Sequence, residues 1–232
     1  MYNGHMNIIN RLEGKVVVSC QAMPSEPLYL EVCMAAMMKS VVKGGAGGLR
    51  VAGSRDVKNA KKLFDVPIIG LTKPDVIPKN WQEIVYITPT LKEVIELVDA
   101  GADIIAFDGT MRKRPNGASL EEIIKFIRIS NRASMADIST LEEGINAEKL
   151  GANILSTTLS GYTQFSQNRG DGPDFELLKD LVKNTNLPVV LEGRIWEPED
   201  VSKAFELGAH CVVIGSAITR PQLITKRFVQ RG

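Results

Sequence analysis

Pro188-Val189-Val190-Leu191-Glu192-Gly193 and Cys211-Val212-Val213-Ile214-Gly215-Ser216 are two copies of one pattern. Each is a β-branched apolar run that ends in charged or small polar residues, and one helix-length segment separates them. A short apolar run bounded by turn residues reads as a buried strand. Strand, loop, helix, strand, loop, helix is the closing quarter of a parallel α/β barrel. In such barrels the last two loops are the usual seat of a substrate phosphate.

Working back from this end, similar runs recur at Val16–Cys20, Gly48–Val51, Pro67–Thr72, Ile104–Asp108, Ala133–Ile138 and Ile154–Thr158. With the closing pair, Pro188–Glu192 and Cys211–Gly215, they make eight strands. Ile84–Ile87 is a weaker ninth run. Pro74 and Pro78 leave no room for a helix before it, so it belongs to the loop after the third strand. Leu91, Val94, Ile95 and Val98 fall on one helical face, as do Leu120, Ile123, Ile124 and Ile127. Ser119 and Thr140, each followed by acidic residues, read as helix N-caps.

Gly45-Ala46, Gly101-Ala102, Gly151-Ala152 and Gly208-Ala209 precede strands two, four, six and eight, at intervals of 50 to 57 residues. Glycine there suits a left-handed helix stop. A four-fold rhythm of βαβα units predicts a single (β/α)8 TIM barrel, an α/β fold of eight parallel strands. The 232 residues suffice for one such domain, and no linker divides them.

Net charge is +1 with no long charged run, which excludes an evident nucleic-acid or membrane surface. Cys20, Cys33 and Cys211 form no framework, as in a reducing compartment. No apolar stretch approaches the roughly 20 residues that span a bilayer. The N-terminal segment is unlike a signal peptide. A soluble cytoplasmic protein is expected.

The chemistry of this fold sits where the strands run out. Those ends read Cys20-Gln21, Arg50, Lys73, Asp108, Asp137, Thr157-Thr158, Glu192 and Ser216. Lys73 is the sharpest candidate: burial beside Arg50 would lower its pKa and free an amine as base or nucleophile. It could also be a salt-bridged structural lysine. Glu192 could be a second acid or base, a hydroxyl ligand, or a partner that raises the Lys73 pKa. Asp137 and Asp108 could orient hydroxyls or the lysine, or cap loops. Gly193, Gly215 and Ser216 let backbone N–H groups approach an anion, with Arg220 as a charged clamp. Ser160-Gly161-Tyr162 could form a lid.

Other features read as structural. Gly44 to Gly48 lacks the ending of a P-loop and suits a tight turn at the barrel bottom. His5 and His210 are the only histidines, and His210 sits at the wrong end for catalysis, which leaves no histidine-rich metal site. Two cations at the mouth argue against Mg²⁺ held by the three carboxylates. Met34, Met37 and Met38 follow helical spacing, and Arg112-Lys113-Arg114 reads as a solvated loop.

The motifs Val18-Ser19-Cys20-Gln21-Ala22 with Pro24 to Leu28, Gly48-Leu49-Arg50, Ile69-Gly70-Leu71-Thr72-Lys73, Tyr86-Ile87-Thr88-Pro89-Thr90, Met135 to Thr140, Ser156 to Thr163, Leu191-Glu192-Gly193-Arg194 and Ala217 to Pro221 run in order from residue 18 to beyond Lys226-Arg227-Phe228, nearly the whole chain. With them the chain resembles the N-acetylmannosamine-6-phosphate 2-epimerases of bacterial sialic-acid breakdown. It departs from them at Gly215-Ser216, where members carry Gly-Gly, and at Asp108-Gly109, where an aspartate-alanine pair is usual. The resemblance implies a phosphate-binding barrel acting on an N-acetylhexosamine 6-phosphate, and a homodimer. It carries the catalytic lysine onto Lys73 and the supporting glutamate onto Glu192. Sugar and phosphate contacts carry onto Gln21, Arg50, Asp137 and Arg220, with backbone contacts at Gly193, Gly215 and Ser216.

The chemistry agrees with these residue types. The proton beside C1 of the open-chain aldehyde is acidic because the enolate is delocalised, so a tuned base can remove it and a proton can return on the other face. Arg50 or another fixed donor would stabilise the oxyanion. No redox cofactor or metal is needed. Rival readings are a lysine Schiff-base aldolase, a ribulose-phosphate-type epimerase, which usually carries histidines at strand ends, and a non-catalytic sugar-phosphate sensor.

Overall fold

The apolar runs fold as strands that pair side by side, and glycine stops the helices between them. The computed structural model of the chain describes residues 3–167 and 170–230. Its strands are β1 (Lys15–Cys20), β2 (Gly48–Ala52), β3 (Ile68–Leu71), β4 (Ile104–Asp108), β5 (Ala133–Asp137), β6 (Ile154–Ser156), β7 (Val189–Glu192) and β8 (Cys211–Ile214). They are parallel, pair in chain order, and close when β8 meets β1 at Val16↔Val212 and its neighbours. Outside lie α2 (Glu31–Lys43), α3 (Ser54–Leu63), α4 (Leu91–Asp99), α5 (Leu120–Ile129), α6 (Leu141–Lys149), α7 (Phe175–Asn184) and α8 (Pro198–Glu206). α1 (Asn3–Asn10) precedes the barrel, and α9 (Ser216–Thr219) and α10 (Pro221–Val229) follow it. The expected (β/α)8 barrel is the observed one.

Gly45, Gly101, Gly151 and Gly208 take φ of 101°, 90°, 92° and 91°, the left-handed region in which a side chain is strained. Thr90, Ser119 and Thr140 open α4, α5 and α6 with capping boxes closed by Glu93, Glu122 and Glu143. Each such cap is worth about 1 kcal/mol.

Strand alternation sorts the apolar residues into two cores. Leu49, Ile68, Phe107, Leu155, Leu191 and Val212 face the helices. Val17, Ile69, Leu71, Met135, Val190 and Val213 fill the barrel. Continued past the strand ends, the inward parity runs through Gln21, Arg50, Lys73, Asp137, Thr158, Glu192 and Gly215. Period two therefore aims the candidate residues at the barrel mouth.

Four expectations need correction. β3 ends at Leu71 and β6 at Ser156, where a 3₁₀ turn over Thr157–Leu159 takes over. Ile84–Ile87 lies in a loop as expected, but its end wedges between β3 and β4. The Thr72 N–H donates to Thr88 Oγ1 at 3.0 Å and the Asp108 N–H to the Ile87 carbonyl at 3.1 Å. β3 pairs with β4 only at Ile69↔Ile104 and Gly70↔Ile105, below that wedge. On α4, Leu97 is buried and Ile95 is exposed, because the core side follows Leu91, Val94 and Leu97. Arg112 and Arg114 are buried, not solvated. Arg112 pairs with Asp108 at 2.6 Å and donates to the carbonyls of Trp81 and Gln82, while Arg114 donates to those of Pro89 and Asp108. The two arginines pin the long β3–α4 loop to β4.

The barrel floor was not foreseen. Ile9 and Leu12 are buried within the interior core, and His210 Nε2 lies 2.9 Å from the Ile9 carbonyl. α1 and the turn after it plug the bottom. Leu12→Ala opens a cavity there and should cost about 2–4 kcal/mol in denaturant unfolding, with turnover per folded molecule unchanged.

Candidate active site

Two carboxylates and one guanidinium lie at the deepest point of the mouth. Arg50 of β2 is fully buried, and its fork meets Asp137 of β5 at 3.1 and 2.6 Å. Its Nη1 is also 3.3 Å from Glu192 Oε2 on β7. Burial works against the Arg50 charge, but Asp137 and Glu192 overcome it and hold its pKa above the ordinary value. For Glu192 the balance differs. Burial pushes its carboxyl up, Arg50 opposes, and Asp137 adds to the rise, so the net direction is upward.

Lys73 follows β3 by two residues, past the loop wedge between β3 and β4. Burial and the Arg50 charge push its amine down from 10.5 to about 8, with Arg220 adding to the fall. Glu192 and Asp137 oppose this but do not prevail. Of the sequence alternatives, a lysine tuned downward is the one the geometry supports.

Above this cluster opens a cavity of about 400 Å³, within the size range of small-molecule sites. Gln21, Lys73, Glu192, Gly193, Gly215, Ser216 and Arg220 all line it. Arg50 and Asp137 do not line it but lie buried beneath Glu192 and Thr158. Gln21 Oε1 and Arg50 Nε are buried without hydrogen-bond partners among the described residues. Asp108 sits with Arg112 and Thr110, capping its own loop.

The two closing loops line one end of the cavity. Gly193 takes a φ of 109°, and Gly215 precedes the short helix α9, which Thr219 ties to β1 through the Ser19 carbonyl at 2.7 Å. Arg220 is held 3.4 Å from Glu26, whose carboxylate also accepts from Gln222 and the Met23 N–H. The sequence assigned Glu26 no role because it lies in the loop beyond the end of β1 rather than at it. The Ser160-Gly161-Tyr162 segment does form a wall. Tyr162 lines the cavity between Arg194 and Trp81, at 5.5 and 6.2 Å. Among the described residues, no group of three His, Cys, Asp or Glu is placed to hold a metal ion.

A family model described as "Putative N-acetylmannosamine-6-phosphate epimerase" (NanE) matches residues 34–231. The chain belongs to the NanE family. A Clostridium perfringens relative described as a 2-epimerase of this kind is 47% identical over 222 residues, covering 95% of this chain and 98% of its own. One from Caldanaerobacter subterraneus is 48% identical over 227 residues, covering 97% and 93%. The solved N-acetylmannosamine-6-phosphate 2-epimerase from Clostridium perfringens superposes with a TM-score of 0.91 at 46% identity, covering 99% of this chain and 97% of that one. This NanE chain thus shares both fold and length with its relatives.

In this NanE site the buried Arg50–Asp137 pair gives a direct stability test. Asp137→Ala removes both short bonds to the guanidinium, leaves it only Glu192 at 3.3 Å, and should destabilise by about 3 kcal/mol in urea unfolding. A paired Arg50→Met, Asp137→Leu change should recover most of that loss and remain inactive.

Proposed function

We propose that this chain interconverts N-acetylmannosamine 6-phosphate and N-acetylglucosamine 6-phosphate by moving the C2 proton, in sialic-acid breakdown. The observation that carries the proposal is Lys73, held down near 8 opposite a Glu192 held up, at the deep end of a sugar-phosphate cavity. Gly193, Gly215, Ser216 and Arg220 take the 6-phosphate. Gln21 accepts from a sugar hydroxyl. Arg50 and Asp137 serve the sugar from below, with the Arg50 charge beside the oxyanion that forms at C1. No cofactor or metal takes part.

Two groups with pKa values moved toward each other suit a two-base exchange. Neutral Lys73 removes the proton from one face, and protonated Glu192 returns one to the other. The next turnover in reverse uses ammonium and carboxylate. The pair therefore works when it holds one proton in total, and its macroscopic pKa values belong to both residues. Below both values it holds two protons and above both it holds none. The rate should thus trace a bell whose alkaline limb falls near pH 8. A single-base lysine would instead show activity rising through pH 8 to a plateau, which excludes the two-base form.

Lys73→Ala should abolish both interconversion and C2 deuterium uptake in D₂O, followed by proton NMR, while inorganic phosphate still binds. Near-normal exchange in that variant overturns the assignment. Borohydride with substrate should trap no lysine adduct, and an adduct would favour an aldolase.

We further propose that the whole chain acts as one domain, in the cytoplasm, as a homodimer. The exposed Phe228 and Val229 on α10, with Leu30 and Val32 near the start of α2, support a covered face. No helix among the described residues is long and apolar enough to cross a membrane.

A further inference from the structure

Arg194 takes a φ of 55°, directly after Gly193 at 109°. That is the left-handed region, which a residue with a side chain enters at a cost. Such strain persists where surrounding contacts over-determine it, and it gathers at functional sites. The contacts here are specific. Arg194 Nη1 donates to the Ser160 carbonyl at 2.5 Å, and Nε donates to the Gly172 carbonyl at 2.7 Å. One guanidinium thus clasps two separate stretches of the connection between β6 and α7. Its central carbon lies 5.5 Å from the centre of the Tyr162 ring, within cation–π range.

The connection is shaped to receive it. Gly161 has a φ of 82°, and a Cβ there would lie 2.6 Å from Arg194 Nη1, so only glycine leaves the guanidinium in place. The Gly161 N–H donates to Ser166 Oγ at 3.0 Å. Ser160 Oγ donates to Asp174, which opens α7 by accepting from the Leu177 N–H. On the far side of Tyr162, Trp81 of the β3–α4 loop stands 6.2 Å away, and the Gln164 N–H donates to the Gln82 carbonyl at 3.2 Å. Arg194 and Tyr162 both line the cavity. A wall therefore runs from the strand that carries Glu192, across the β6 loop, to the loop that follows Lys73. Arg194 fastens it at the β7 end.

We infer that Arg194 is a positioning residue, which acts through Tyr162 to keep water from the reacting carbons. This rests on the proposed C2 chemistry, but not on which group returns the proton. The enolate left by loss of the C2 proton has a second fate. Its electron pair can form a C2–C3 double bond and expel the C3 hydroxyl, which takes a proton and departs as water, while the C1 aldehyde is regenerated. Departure of that hydroxyl needs a proton donor, and water admitted beside Tyr162 supplies one. A fastened wall withholds it.

Arg194→Gln removes the double clasp, and Gly161→Ala displaces the guanidinium while keeping its charge. Both should raise KM about tenfold and lower kcat less than about threefold, because the ligand loses a wall but keeps its reacting groups. Both should also release the dehydrated sugar phosphate from N-acetylmannosamine 6-phosphate, seen in proton NMR as an olefinic C3 hydrogen. Arg194→Lys keeps the charge but reaches one carbonyl only, and its KM should fall between. A merely structural arginine would lower the urea midpoint and leave KM and products of the folded molecules unmoved. Unaltered KM with no olefinic product in the glutamine and alanine variants overturns the inference, as does a lysine variant equal to the unaltered protein. Lys73→Ala separates this from the reading beneath it: C2 exchange surviving there defeats the proposed chemistry itself, whatever the Arg194 variants show.

Discussion

The site depends on a guanidinium sealed under the barrel mouth. Arg50 has no route to water, so its charge is tolerable only because Asp137 meets it fork to fork and Glu192 adds a second carboxylate. From that one pair the other properties follow. The Arg50 charge, added to burial, depresses Lys73. Asp137 crowds Glu192 and, with burial, raises it against the pull of Arg50. A base and an acid are thereby brought toward neutrality from opposite sides. With one proton shared between Lys73 and Glu192, the four groups sum to zero charge wherever that proton sits. A buried cluster resists gaining net charge, so a proton added or lost there costs much.

The remainder of the mouth keeps that cluster fed and dry. The loops after β7 and β8 line one end of the cavity, and Glu26 lies 3.4 Å from Arg220 beside them. On the opposite side the β3–α4 loop is tied down by Arg112 and Arg114, and its Trp81 meets Tyr162 from the β6 loop. The long loop after the lysine strand is therefore a fixed wall rather than a loose flap, which suits a reaction that must keep an enolate from stray protons.

Much of this was legible in the sequence because it rests on local rules. Four glycines at regular spacing marked the helix stops, and β-branched runs marked the strands. Period two then selected which terminal polar residues face inward, which is why Lys73, Glu192 and Gln21 reach one cavity. What escaped depends on partners distant in the chain. Arg112 and Arg114 look like a surface run until Asp108 and the loop carbonyls that bind them are in place. Ile9 and Leu12 are too short a pattern to announce a barrel plug. Thr158 Oγ1 lies 2.9 Å from both Asp137 and Glu192, a convergence of three strands that no local pattern announces. β3 ended early because Thr88 replaces β4 as its neighbour, a substitution invisible to strand propensity.

The central claim is that the Arg50 cluster sets the lysine, and direct titration tests it. In protein labelled with ¹⁵N at the lysine side chains, the Lys73 Nζ signal, assigned with Lys73→Ala, should titrate near pH 8 rather than near 10.5. In Arg50→Met it should move back upward, because a nearby cation is lost while Glu192 and Asp137 remain. A Lys73 that titrates near 10.5 in the unaltered protein, or that does not respond to the loss of Arg50, contradicts the account.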